Sequence, residues 1–194
     1  NAIVNFGPKV LNIRPQDIVT FSFCFKKDSF SSAQSNMQVV LSKILMGVSS
    51  DDHSNILEST QDDYRGFMIW LNKDKIHFLL QNTPNTNELH VTSVVDQSNP
   101  YFTINTWHCV DIYYDGSSSA AGVKISVDGS EVKTLALSDT LTSSISTSAN
   151  CFVGSYGEGN LAFNGFLDEV YVTLHAANET NTNSAGLQLV YDWS

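Results

Sequence analysis

From Trp107 to Gly129 the chain reads W-H-C-V-D-I-Y-Y-D-G-S-S-S-A-A-G-V-K-I-S-V-D-G. Val110, Ile112 and Tyr114 alternate with Cys109, Asp111 and Tyr113. Successive side chains of a strand point to opposite faces, so this is a strand with one face in a core. His108 falls on the core side with Val110, and Trp107, at the mouth of the strand, is expected to pack as core. Val123, Ile125 and Val127 repeat the alternation. Asp128-Gly129 is a dipeptide favoured by two-residue hairpins, whose central positions need positive φ, and Glu131 to Leu137 is the expected return strand.

The same period extends outward. In T-F-S-F-C-F-K, Thr20 to Lys26, Phe21, Phe23 and Phe25 share one face and Ser22 and Cys24 the other. Phe67 to Leu71 and Lys75 to Leu80 flank Asn72-Lys73-Asp74 and read as a hairpin. Phe67, Ile69 and Leu71 would face the core, opposite Ile76, Phe78 and Leu80. Cys151 to Gly154 and Phe166 to Leu174 are the last clear strands, and Ser138 to Ser148 reads as a surface crossover. No window of a dozen residues carries a capped 3.6 period. Short alternating segments between polar turns predict an antiparallel sandwich or barrel. Without repeat or linker, residues 1–194 read as one domain.

Composition narrows the function. The 194 residues carry 10 Lys+Arg against 20 Asp+Glu, a net charge of −10. Such a chain has no overall basic field for phosphates, so nucleic acid is not an expected partner. Anionic lipid is disfavoured for the same reason, and no apolar run reaches the ~20 residues of a membrane span. Only 15% of residues are charged, against roughly 25% in an ordinary soluble domain. Ser, Thr and Asn cover the surface instead, which favours hydroxyl-rich neutral partners or tight subunit contacts. The first residue is Asn1, with no Met or apolar signal segment, as expected of a mature chain or excised domain. Cys24, Cys109 and Cys151 are odd in number. Three small buried apolar residues, or one disulfide plus a free thiol, both satisfy the count, and no C-x-x-C spacing points to a metal.

Four motifs occur in order: N-T-W-H-C-V-D-I-Y-Y-D-G-S (Asn105–Ser117), V-K-I-S-V-D-G (Val123–Gly129), C-F-V-G-S (Cys151–Ser155) and F-N-G-F-L-D-E-V-Y-V (Phe163–Val172). This order resembles the laminin G-like jelly rolls of the concanavalin A-like lectin and glucanase superfamily. The resemblance implies an all-β jelly-roll sandwich of two antiparallel sheets, with one curved sheet offering a concave outer surface. It further implies a glycan-binding or protein-binding module, often with calcium at the rim. The corresponding rim segments are Asn82–Glu88 and Ser143–Ser148, and the latter offers mostly Ser rather than Asn or Asp.

No catalytic set is expected. The glucanase E-x-D-x-x-E spacing is absent, and Asp168 and Glu169 are adjacent, so on a strand they point apart. Arg14 and Arg65 match no lyase motif, and no G-x-S-x-G elbow occurs. By parity Asp168 joins Phe166, Val170 and Val172 on an inward face and reads as a buried carboxylate partnered by His108.

Binding residues are drawn from outward positions. A turn at Lys73-Asp74 sets Trp70 opposite His77 away from the core, as a platform on which a sugar ring stacks while the imidazole bonds its hydroxyls. Asp111 and Tyr113 are expected to line the same concave face, and the loop S-Y-G-E-G-N supplies Tyr156 and Asn160. Calcium is an option for the acidic loop with Asp51, Asp52, Glu58, Asp62 and Asp63, although its spacing matches no EF-hand. Asn178-Glu179-Thr180 is a glycosylation sequon. The expected function is a non-catalytic, lectin-like carbohydrate-binding adhesion module of a larger extracellular, cell-surface or virion-surface protein. Its glycan would be neutral rather than acidic. The alternative is a structural or protein-binding module contacting other domains or subunits.

Overall fold

The computed structural model describes residues 3–27, 37–44, 65–95, 101–157 and 161–175. The acidic-loop carboxylates, Asn160 and the sequon at Asn178 lie outside the described residues. The strands are β1 (Val4–Gly7), β2 (Ile18–Lys26), β3 (Met37–Ile44), β4 (Gly66–Asn72), β5 (Lys75–Thr83), β6 (Asn87–Ser93), β7 (Trp107–Tyr114), β8 (Val123–Val127), β9 (Ser130–Val132), β10 (Thr134–Asp139), β11 (Cys151–Val153) and β12 (Phe166–His175). A 3-10 turn, Ala120–Gly122, precedes β8. No helix among the described residues is long and apolar enough to cross a membrane.

Two antiparallel sheets form, as the alternation requires. One has seven strands in the order β1-β11-β3-β4-β5-β6-β10, the other five in the order β12-β2-β7-β8-β9. The main core lies between them. Phe21, Phe23 and Phe25 of β2 and Val110, Ile112 and Tyr114 of β7 meet Phe67, Ile69, Leu71, Ile76, Phe78 and Leu80 of the β4–β5 hairpin. Phe21 packs at 5.4 Å from Phe67 and 5.6 Å from Phe78. Each such fully buried Phe contributes roughly 1.5–3 kcal/mol. Tyr114 is fully buried, and its hydroxyl donates to Pro15 O (2.5 Å) and accepts from Ser118 N (2.8 Å), tying the segment before β2 to the core.

Both hairpin turns form where the sequence marks them, with Lys73 at φ 57° and Asp128-Gly129 at φ 50° and 77°. The strand expected over Glu131 to Leu137 is instead two. After β9 the chain leaves the five-stranded sheet at Lys133, and β10 pairs with β6 in the other sheet. Gly66 is where β4 presses on β3. At its φ of 142° an added Cβ would lie 1.8 Å from the Lys43 carbonyl oxygen, so no larger residue fits.

The cysteines resolve into one disulfide, Cys24–Cys109, and a buried free thiol, Cys151. Register explains the pairing. Cys24 and Cys109 are directly opposite on β2 and β7. Cys109 turns its N–H (to Asp128 Oδ1, 2.8 Å) and its C=O (from Asp128 N, 2.8 Å) toward the β8 side. It therefore meets Cys24 as a non-hydrogen-bonded pair, the type in which Cα atoms come closest, and these are 4.0 Å apart. Burial pushes the Cys151 thiol up to about 12, so it stays protonated at neutral pH.

Candidate functional site

The two outer faces of the sandwich differ. On the seven-stranded sheet, Trp70 and His77 are paired as expected. They form no open platform, since Trp70 is 7% and His77 8% exposed. The Trp70 ring stacks on His77 at 4.8 Å and 6°, so the sugar-stacking face on that side is already taken by the imidazole. Val39, Ile44, Met68 and Leu79 complete a second apolar cluster around Trp70, and Tyr156 packs half-buried against it.

The imidazoles there form a neutral network. His77 Nδ1 lies 3.1 Å from His90 Nε2, and His77 Nε2 lies 3.4 Å from Thr92 Oγ1. Thr92 donates its hydroxyl to Ile76 O at 3.1 Å. Its oxygen then accepts from His77 Nε2–H, leaving His77 Nδ1 to accept from His90. Burial pulls the His77 pKa down to about 4, with His90 and Lys75 adding repulsion. Burial also lowers His90, against an upward pull from Glu88.

Asp111 and Tyr113 do not join this cluster. They lie on β7 in the other sheet, facing away from the core, so the sandwich thickness of ~10 Å separates them from Trp70 and His77. The residues named from sequence thus divide into two groups on opposite surfaces, with Trp70, His77 and Tyr156 in one and Asp111 and Tyr113 in the other. Parity identifies residues that share a face of one strand, but not the sheet to which that strand belongs.

The open surface is the outer face of the five-stranded sheet. Trp107 (45% exposed) and Phe166 (53%) flank Lys26 across three paired strands, correcting the expectation that Trp107 and Phe166 face the core. The Lys26 ammonium lies 5.9 Å from the Trp107 ring centroid and 5.0 Å from that of Phe166, within cation–π range of both. The disulfide forms the next row. Beyond it Ser22 Oγ donates to Asp111 Oδ1 (2.5 Å). Then come Tyr113, 37% exposed, and His175, whose ring lies 6.5 Å away and whose Nε2 bonds Thr20 Oγ1 at 3.0 Å. Trp107 and Tyr113 are six residues apart on one strand, about 20 Å. The face is therefore a strip with aromatic rings at both ends and hydroxyl, carboxylate and imidazole groups between.

A bulge explains why Asp168 departs from parity. Register shifts between Asp168 and Tyr171, where Glu169 has φ 50°. Leu167 packs on the core before the bulge, and Val170 and Val172 are buried after it. Asp168 is half-buried and is not the partner of His108. His108 instead pairs through Nδ1 with Asp128 Oδ2 at 2.8 Å, and its Nε2 accepts from Thr103 N–H at 2.9 Å. Accepting at Nε2 fixes the Nδ1–H tautomer, a satisfied structural histidine. Asp128 is pushed up by partial burial, but hydrogen bonds from His108 and the Cys109 N–H hold it below the usual range.

The rim segments that the resemblance assigns to calcium do meet. Asn82 Nδ2 donates to Ser144 O (2.6 Å). Asn87 Oδ1 accepts from Thr142 N (3.0 Å) and Ser143 N (3.3 Å), and Glu88 Oε2 accepts from Asn85 N (2.9 Å). This is a hydrogen-bonded strap. Asn87 Oδ1 and Glu88 Oε2 are engaged by backbone N–H donors and Asn82 Oδ1 by the Thr83 hydroxyl, so these side chains do not offer the six to eight open oxygens that calcium takes. Cys24, Cys109 and Glu169 also converge, but the sulfurs are bonded to each other and are not thiolate ligands.

Two stacked antiparallel sheets with this strand order define a jelly roll, here with one open, aromatic outer face. A laminin G-type model of the concanavalin A-like lectin/glucanases superfamily matches residues 15–181, and the chain belongs to that superfamily. No curated protein matches it by sequence. Among solved structures, it superposes on domains LG4-5 of the mouse laminin alpha1 chain with a TM-score of 0.57 and 14% identity, over 89% of this chain and 38% of that one. The receptor binding domain of the botulinum neurotoxin C/D mosaic serotype gives 0.52 and 17% identity, over 85% and 34%. That of botulinum neurotoxin D gives 0.51 and 16%, over 85% and 35%. At these identities the likeness is one of fold, and the chain spans little more than a third of each of these chains.

Proposed function

We propose that the chain is a non-catalytic, carbohydrate-binding adhesion module of a larger extracellular protein, and that it binds through the outer face of the five-stranded sheet. The observation that carries this reading is the asymmetry between the faces. Trp107, Phe166 and Tyr113 are exposed on one, whereas Trp70 and His77 are buried on the other. Exposed aromatic planes stack on the C–H faces of pyranose rings, and Ser22, Asp111, Thr20 and His175 offer donors and acceptors for hydroxyls between them. Membership of a superfamily named for lectins supports a glycan, as does a surface poor in charge.

A glycan array followed by titration of intrinsic fluorescence tests the reading. Trp107→Ala is expected to weaken binding at least tenfold and to remove most of the fluorescence response, while Trp70→Phe retains both. Unchanged affinity in Trp107→Ala would reject the five-stranded face as the binding surface.

A further inference from the structure

The net charge of −10 is an average, and the few cations of the chain are not evenly spread. At the end of the sandwich where β4 starts and β11 approaches, an open groove of about 740 Å³ is lined by Lys9, Asn12, Arg65, Ser146, Thr147 and Ser148. Its volume is that of a small-molecule site, and among the described residues that line it none is Asp or Glu. A narrow crevice continues inward past Asn12, Ser146 and Thr147 and reaches Lys43. Three of the ten cationic side chains of the chain therefore meet here.

Lys43 makes the groove more than a pair of surface cations. It is 1% exposed, and its Nζ donates to two neutral acceptors, Pro8 O and Ala149 O, each at 2.7 Å. Burial lowers its pKa, against an upward pull from the neighbouring Cys151, and no carboxylate among the described residues pairs with it. A cation held in a low-dielectric wall by neutral dipoles projects its field into the adjoining space with little screening. Lys9 is exposed at the rim and has no ion pair among the described residues. The hydroxyls of Ser146 and Ser148 and the Asn12 amide, all exposed, complete a lining that suits a hydroxylated ligand with one negative group.

We propose that this groove is a second binding site, for the oxyanion of an acidic sugar, carboxylate or sulfate ester. Lys9 and Arg65 contact the anion, Asn12 and the 146–148 hydroxyls contact the sugar, and Lys43 supplies fixed charge from below. The site is separate from the aromatic face and does not depend on it. The negative remainder of the chain repels long polyanions, so short acidic saccharides are the appropriate ligands.

The test is calorimetric titration with four probes at low and at 300 mM salt: a sulfated disaccharide, a glucuronate disaccharide, a neutral disaccharide and inorganic sulfate. At least one acidic disaccharide is expected to bind tenfold or more tightly than the neutral one and to weaken severalfold in high salt. Lys9→Gln and Arg65→Gln are each expected to cost about fivefold or more, Lys9→Arg to retain binding, and Trp107→Ala to leave it unchanged. Equal binding of acidic and neutral disaccharides, or full binding in Lys9→Gln, overturns the proposal. Inorganic sulfate binding as tightly as the best saccharide overturns its sugar half. If Arg65→Gln does not fold, the exposed Lys9→Gln alone decides. Neutral-glycan binding lost in Trp107→Ala is a separate signal, so the two sites fail independently.

Discussion

Charging the His77 imidazole would place a cation among Trp70, Thr92, His90 and Lys75. Its pKa of about 4 compares with about 6.5 in an unfolded chain. Between those values the unfolded state binds the extra proton, so stability is full above pH 6.5 and falls as pH drops toward 4. His90, also lowered by burial although Glu88 pulls it upward, acts in the same direction. The expected loss attributable to His77 is on the order of 2 kcal/mol. Urea denaturation at pH 7 and pH 4.5 should show this drop in the native protein and a smaller one in His77→Asn. Equal drops would mean that carboxylates alone set the acid limit. The sequence places this histidine opposite Trp70, but its burial depends on what covers the outer face of the sheet, which no pattern within β4 or β5 encodes.

At the scale of elements, alternation or a marked turn made a strand legible. β2, β7 and β8 alternate because mainly one of their faces is packed with apolar side chains, whereas β4 and β5 are buried on both faces and were legible through the turn marked between them. β3 gives no such signal. Its M-Q-V-V-L-S-K-I run is buried on both faces and carries a bulge between Val39 and Leu41. β6 hides for a related reason, since Glu88, His90 and Thr92 lie on the outer face of the sheet yet are largely enclosed. In β12 one residue at positive φ, Glu169, shifts every subsequent side chain by one register, which accounts for the error over Asp168. The β2–β7 pair allows an energetic prediction. The disulfide between them closes a loop with a sequence separation of 85, for which chain entropy gives roughly 4–5 kcal/mol. The double substitution Cys24→Ala, Cys109→Ala should lower unfolding stability by about 2–5 kcal/mol in urea melts. A midpoint within error of the native value would show that the strands hold each other without it.

For the whole molecule, the sequence predicted the two-sheet architecture but not its sidedness. One outer face is closed by a secondary apolar cluster and the other is open and aromatic, an arrangement set by which strands share a sheet. Asp111 and Trp70 read alike as outward residues, yet they belong to opposite surfaces. Net charge was likewise a coarse average, because among the described residues Lys9, Arg65 and Lys43 gather at one groove.

The cross-strand sulfur link also bears on mechanics. Tension that peels β2 from β7 meets a covalent bond between residues 24 and 109. With that bond intact, the enclosed segment cannot contribute to extension. A chain rises ~3.3–3.6 Å per residue when stretched, so the oxidised protein should release about 300 Å less contour length than the reduced one. Single-molecule pulling with and without reductant reads that difference directly, and equal lengths would mean that the link is not formed under load. With the link formed, the stretch between residues 24 and 109 is withheld from extension until a thiol reductant opens the bond.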